Sequence, residues 1–138
     1  MAVRLFLDPA VGDPLTLEIA TIIDDLGYDL IGIQDHPYQP KHFDAMTLAS
    51  FILAQTRAVR VFPDVANLPL RSPTMLAKQA ATIDQLSGGR FELGLGAGAF
   101  WDAVRGMGGP VRQPWKHWGT LQEAIGILRS WSLIVRCA

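Results

Sequence analysis

The chain has 138 residues, 49% of them hydrophobic and 18% charged, which is enough apolar material for one core-bearing soluble domain and argues against disorder. Twelve Lys and Arg against thirteen Asp and Glu leave a net charge of −1, with no basic stripe for a nucleic-acid backbone and no polybasic run for an anionic membrane. The single cysteine, Cys137, excludes an internal disulfide and a Cys-rich metal or iron–sulfur site, and no apolar run approaches the roughly 20 residues that span a bilayer. Met1 to Leu7 is too brief for a signal peptide, so a cytoplasmic location is the default expectation.

The chain alternates between two periods. Val3 to Leu7 is a short apolar run closed by Asp8-Pro9 and reads as a strand. Leu15, Ile19, Ile22, Ile23 and Leu26 then share a helical face, with Pro14 suited to the first helical position and Gly27 to a left-handed cap. Asp29 to Ile33 is a second strand. It is followed by a helix capped by Asp44, whose Ala45, Leu48, Ala49, Ile52 and Leu53 face inward. Val59 to Val65 is a third strand, interrupted by Pro63. Ser72-Pro73 opens a helix with Leu76, Ala80 and Ile83 on one face, ending at Ser87-Gly88-Gly89. Arg90 to Leu95 is a fourth strand and runs into Gly96-Ala97-Gly98-Ala99. Gly106 to Pro114 reads as a loop, and a last helix begins at the Thr120/Glu123 capping box or earlier, near Pro114.

Four strand–helix units with short connections imply parallel strands and right-handed crossovers, with no internal boundary across 1–138. An open doubly wound sheet and a (β/α) barrel both satisfy this. A whole barrel needs about 250 residues, so the barrel reading makes this sequence about half of one. In either case a ligand lies beyond the carboxyl ends of the strands. That rule selects Asp8-Pro9, Gln34-Asp35-His36, Asp64-Val65-Ala66-Asn67 and Gly96 to Trp101.

Each cluster carries two readings. Asp35-His36 is a titratable pair suited to proton transfer, or a strand-end carboxylate beside a histidine packed on Pro37. His36 with His42 and Asp44 matches no standard metal-ligand spacing, so no metal is expected. Gly94 to Gly98 fits the loose dinucleotide fingerprint but lacks its acidic partner; the glycines mark close approach to a ligand or to a neighbouring strand. Ser87-Gly88-Gly89-Arg90 reads as a helix cap and a solvated arginine. Phe100, Trp101, Met107, Trp115 and Trp118 line a cofactor face or, for any one of them, form core.

The segment from Leu70 to Gly98, above all Leu86-Ser-Gly-Gly-Arg-Phe-Glu-Leu-Gly-Leu-Gly-Ala-Gly98, resembles the luciferase-like flavin monooxygenase superfamily. Gly27 to His36 and Thr56 to Val61 resemble its second and third strands, and the likeness covers residues 3 to 131. The resemblance implies a TIM-like (β/α) barrel, present here as about four β–α units. It implies FMN or the deazaflavin F420 at the carboxyl end, a small organic substrate that is oxygenated or reduced, and a possible homodimer. It also implies Asp35 and His36 beside the ring as catalytic residues, with Asp35 orienting His36. Asp64-Val65 matches the place of a non-prolyl cis peptide. Val65, Ala66 and Asn67 would line the ring, and Gly96 and Gly98 would admit it to the fourth strand end. Ala99 and Phe100 stand where F420-dependent sugar-phosphate dehydrogenases carry a Glu, which disfavours that activity. A truncated product that self-associates or is marginally stable is the accompanying expectation. A catalytically inert interaction module and a small doubly wound nucleotide-binding domain are the rival functions.

Overall fold

The computed structural model describes residues 3–7, 15–111 and 114–136. Strands β1 (Arg4–Leu7), β2 (Leu30–Ile33) and β3 (Arg60–Pro63) pair in parallel in chain order. Arg4, Leu30 and Arg60 share the first row of the register, and Leu7, Ile33 and Pro63 the last. The next strand follows beyond β3, where Phe91 bridges Val61 in parallel, whereas a doubly wound sheet of order 3-2-1-4 would set its fourth strand beside the first. The chain therefore has the TIM-like architecture, as a partial barrel wall.

Side chains alternate across this wall. Leu7, Ile31, Ile33, Val61 and Pro63 are buried on the helix-covered face, where the aliphatic ones join Ala45, Leu48, Ala49, Ile52, Leu76 and Ile83 in one core. On the opposite face Phe6 and Phe62 meet edge to face, their centroids 6.4 Å apart. Gly32 lies between them in the register, and a Cβ there would sit 2.7 Å from the Phe6 ring and 3.0 Å from that of Phe62.

Helix α1 (Leu15–Asp25) reverses the expected facing. Thr16, Ala20 and Ile23 are buried, while Leu15, Ile19, Ile22 and Leu26 are exposed. The helix packs beside α2 (Ala45–Gln55) with Ala20 and Ile23 in the core, and the rest of the bulky stripe lies on the outer side. Gly27, at φ +77°, ends the helix as expected. The Asp24 carboxylate then ties the helix end to the next turn, accepting the backbone N–H groups of Arg57, Ala58 and Val59 at 2.7, 2.9 and 2.7 Å. In α2 (Ala45–Gln55) the expected inward face is buried, and Asp44 caps the helix by accepting from the Thr47 N–H at 2.9 Å. Helix α3 (Pro73–Leu86) opens on Pro73, although the Ser72 hydroxyl pairs with that of Thr74 rather than capping the backbone. Helix α5 (Pro114–Arg136) takes the earlier of its two expected starts and packs on α3. Among the described residues no helix is long and apolar enough to cross a membrane.

The fourth strand is not continuous. Phe91 makes a single parallel bridge to Val61, and pairing resumes only between β4 (Ala66–Asn67) and β5 (Leu95–Gly96). Val61 bonds to Arg90 and Glu92 at 2.9 Å each, but the next rung would need an N–H from Pro63, which has none. The ladder skips to Ala66, whose N–H donates to the Gly94 carbonyl at 2.8 Å. A short helix, α4 (Trp101–Gly106), also lies where no helix was expected.

Arg90 corrects another expectation. Half-buried rather than solvated, it donates to the carbonyls of Leu53, Val59 and Ser87 at 2.6, 3.2 and 3.0 Å and to Thr56 Oγ1 at 3.0 Å. Gly88 and Gly89, both at positive φ, make the turn that delivers it. The first part of the most distinctive motif, Ser87 to Arg90, is thus a structural latch at the amino ends of the strands.

Candidate functional site

At the carboxyl ends of β2, β3, β4 and β5 lies a cleft of about 290 Å³. Its lining includes Asp35, His36, Asp64, Val65, Ala66, Asn67, Gly96 and Gly98, the residues the resemblance sets around the ring, but not Gln34 or Trp101 of the strand-end clusters. Tyr38 and Phe100 join them. The volume lies at the lower end of ordinary ligand pockets, about 300–1,000 Å³. Asp8-Pro9 falls outside the described residues. Among the described residues no group of three or more His, Cys, Asp or Glu is arranged to hold a metal ion.

Asp35 follows the last residues of β2, and its side chain is 1% exposed. Its carboxylate does not bond to His36. Oδ2 accepts from the Asn67 backbone N–H at 2.8 Å and from Arg71 Nε at 2.7 Å, and Oδ1 accepts from Arg71 Nη2 at 2.7 Å. The same Nη2 donates to Asp44 Oδ2 at 2.6 Å. A buried carboxylate needs such partners, and the planar fork of arginine supplies two parallel bonds. Burial opposes the guanidinium charge, but the bonds and charges of Asp35 and Asp44 outweigh it and hold the Arg71 pKa above its ordinary value. Burial likewise raises the Asp44 carboxyl, while Arg71 and Thr47 draw it down further, for a net lowering.

Arg71 was not singled out from the sequence. Its acid partners lie 36 and 27 residues away, so no local spacing marks it. The available signal was a cation in the apolar stretch Leu68-Pro-Leu-Arg71, a position that demands a distant anion.

His36 sits among rings. It stacks with Tyr38 at 5.4 Å and with His42 at 6.0 Å, and meets Phe100 edge-on at 5.7 Å. Phe100 has a left-handed backbone (φ 54°) at the start of α4, and its ring also contacts Tyr38 at 5.9 Å. It is 63% exposed, and Met107 and Trp118 are exposed as well, so none of the three is core. The side chain of Trp115 lies outside the described residues. Burial, and secondarily the charge of Asp35, raise the Tyr38 pKa. Tyr38 is thus a neutral hydroxyl beside a titratable imidazole.

The opposite wall is the segment Asp64–Asn67, with a cis Asp64-Val65 peptide as expected. The glycines here admit protein rather than open space. A Cβ at Gly96 would lie 2.4 Å from Val65 Cγ2, and one at Gly98 would lie 2.4 Å from Pro69 Cγ. They let Val65 and Pro69 press against the strand-end backbone, and Val65 also lines the cleft. Asn67 is 7% exposed, and its Oδ1 is buried with no hydrogen-bond partner. Buried amide oxygens are normally satisfied, so this one asks for a donor from a ligand. The small side chains and glycines of the lining, the buried Asn67 oxygen and the His36 ring together fit a heteroaromatic cofactor.

A family model described as luciferase-like monooxygenase matches residues 14–132. Over 96 residues the chain is 32% identical to 4-hydroxyprotoasukamycin monooxygenase of Streptomyces nodosus subsp. asukaensis, covering 67% of this chain and 25% of that protein. The oxygenating constituent of 3,6-diketocamphane monooxygenase from Pseudomonas putida, solved with FMN, superposes with a TM-score of 0.75 at 26% identity, over 93% of this chain and 38% of that one. An F420-dependent secondary alcohol dehydrogenase bound to an F420–acetone adduct has the same fold, with a TM-score of 0.80 at 22% identity, over 93% and 41%. The chain therefore spans about a quarter to two fifths of the length of these proteins.

Proposed function

Because the chain belongs to the luciferase-like monooxygenase family, we propose that its strand-end cleft binds the ring of FMN or F420 and serves an oxidoreductase acting on a small organic substrate. The observation that carries this reading is the coincidence, in one cleft, of the wall at Val65 and Ala66, the unpartnered buried Asn67 oxygen and the His36 ring. When bound, the cofactor supplies the redox chemistry. Val65 and the backbone at Gly96 and Gly98 would face the ring and exclude water from it, while Ala66, fully buried, would support that wall from within. Asn67 accepts a hydrogen bond from the ring's polar edge. His36, held by Tyr38, His42 and Phe100, holds or moves a proton at its ring nitrogens. Asp35 serves this arrangement by bonding to the Asn67 backbone. A homodimer belongs to the same reading, and the exposed stripe of Leu15, Ile19, Ile22 and Leu26 on α1 supports it.

The test is a fluorescence titration of the purified chain with FMN and F420 in parallel. Saturable quenching by one of them, abolished by Asn67→Ala combined with Val65→Asp, is the expected result. No binding of either would favour an inert interaction module, and thermal protection by a nicotinamide dinucleotide or ATP instead would point to a nucleotide-binding domain.

A further inference from the structure

We propose that Arg71 is the positioning residue of this cleft: by fixing Asp35, which holds the Asn67 backbone, it keeps the Asn67 carboxamide set to receive an N–H from a heterocyclic ligand. The identity of that ligand as a flavin or deazaflavin rests on the function proposed above. The mechanical part rests on geometry alone.

Asp35 Oδ2 is shared between the Asn67 N–H at 2.8 Å and Arg71 Nε at 2.7 Å. Arg71 Nη2 bridges Asp35 Oδ1 at 2.7 Å and Asp44 Oδ2 at 2.6 Å. Two of the three bonds to the Asp35 carboxylate thus come from Arg71. Without them a side chain that is 1% exposed keeps only the Asn67 amide, and it must turn toward water or a new donor, taking that amide with it. Lysine cannot substitute, since a single ammonium does not reproduce two parallel bonds. Asp44 also caps α2, so the clamp anchors the 64–71 segment to a helix start.

The charge balance narrows the ligand. Asp35 and Asp44 share one guanidinium, and among the described residues no Lys or Arg lines the cleft. A neutral ring edge with an N–H donor meets Asn67 Oδ1, the buried oxygen in the described cleft lining that has no partner.

The experiment follows the Asn67 amide in ¹H–¹⁵N spectra of the whole chain for wild type, Arg71→Lys, Arg71→Met and Asp44→Asn, alongside FMN and F420 titrations of Arg71→Met, Asn67→Ala and the double variant. An amide bonded to a carboxylate resonates downfield. We expect Arg71→Met to move the Asn67 amide upfield, Arg71→Lys to move it part of the way, and Asp44→Asn to leave it in place. Losing one such bond corresponds to about ten-fold in affinity for either single variant. The double variant should be no weaker than Asn67→Ala alone, because Arg71 acts through Asn67. An unmoved Asn67 amide in both Arg71 variants, or losses that multiply in the double variant, would overturn the proposal. Should Arg71→Met not fold, the Arg71→Lys spectrum decides. If the wild type binds neither cofactor, the proposed function fails, while the Asn67 resonance still judges Arg71.

Discussion

Replacing Arg90 with Met tests whether Ser87 to Arg90, the first part of the most distinctive motif, is a fastener rather than part of the chemistry. Methionine keeps much of the aliphatic stem and removes four donated bonds, three of them to main-chain carbonyls. Bonds from a charged donor contribute about 1.5–3 kcal/mol each when buried, and the half-buried setting lets water replace some of them. The net loss is then about 3–4 kcal/mol. For a domain of this length each kcal/mol shifts Tm by about 3–4 °C, which gives a drop of about 10–14 °C. Arg90→Lys should lose about 2 kcal/mol, since one ammonium cannot span carbonyls on both sides of the turn. Thermal and urea unfolding followed by circular dichroism measure both. A Met variant within about 1 kcal/mol of wild type, or a Lys variant equal to wild type, would refute the latch. Cofactor affinity of the folded Met variant should be unchanged, because Arg90 lies at the strand ends opposite the cleft.

Two further outcomes follow from the packing and the charges. Gly94→Ala places a Cβ 2.4 Å from the Pro63 carbonyl oxygen, a main-chain atom, and should destabilise by about 1–3 kcal/mol. Gly126→Ala meets nothing within 4 Å inside α5 and should stabilise by about 0.5–1 kcal/mol; urea midpoints of equal sign for the two would contradict the geometry. For Asp24, burial raises the carboxyl pKa, but three backbone donors and the Arg57 charge bring it below its ordinary 3.8. The folded state therefore binds this proton less tightly than the unfolded one. The stabilisation is complete above the unfolded pKa and is lost as pH falls through the lower folded one. Asp24→Ala should destabilise at neutral pH, and its gap to wild type should close below about pH 4; a gap constant down to pH 2 would sink the assignment.

The order of elements was readable because hydrophobic periodicity and punctuation agreed: Asp44, Pro73 and Gly27 stand where the helix ends require them. That the strand-end residues would share one cleft was readable too, since carboxyl ends of parallel strands converge whatever the details, and the cis Asp64-Val65 peptide was marked by its family motif. What escaped is non-local. The facing of α1 depended on how it packs beside α2, and apolar counting puts the larger residues inside. The break in the fourth strand depended on which rung Pro63 occupies, which no single-strand reading contains. Asp35 was read against its neighbour in sequence, His36, yet its partners are Arg71 and Asn67, brought to it by a crossover. The fragmentary α4 escaped because it lies between glycines.

Phe6, Gly32 and Phe62 hold one volume in common across three neighbouring strands. Space surrendered at the middle position is what the two flanking rings occupy. Drift at any one of these sites is therefore tied to the others: a side chain larger than hydrogen at 32 is tolerable only where 6 or 62 has shrunk, so in descendants of this sequence the three should change together or stay as they are.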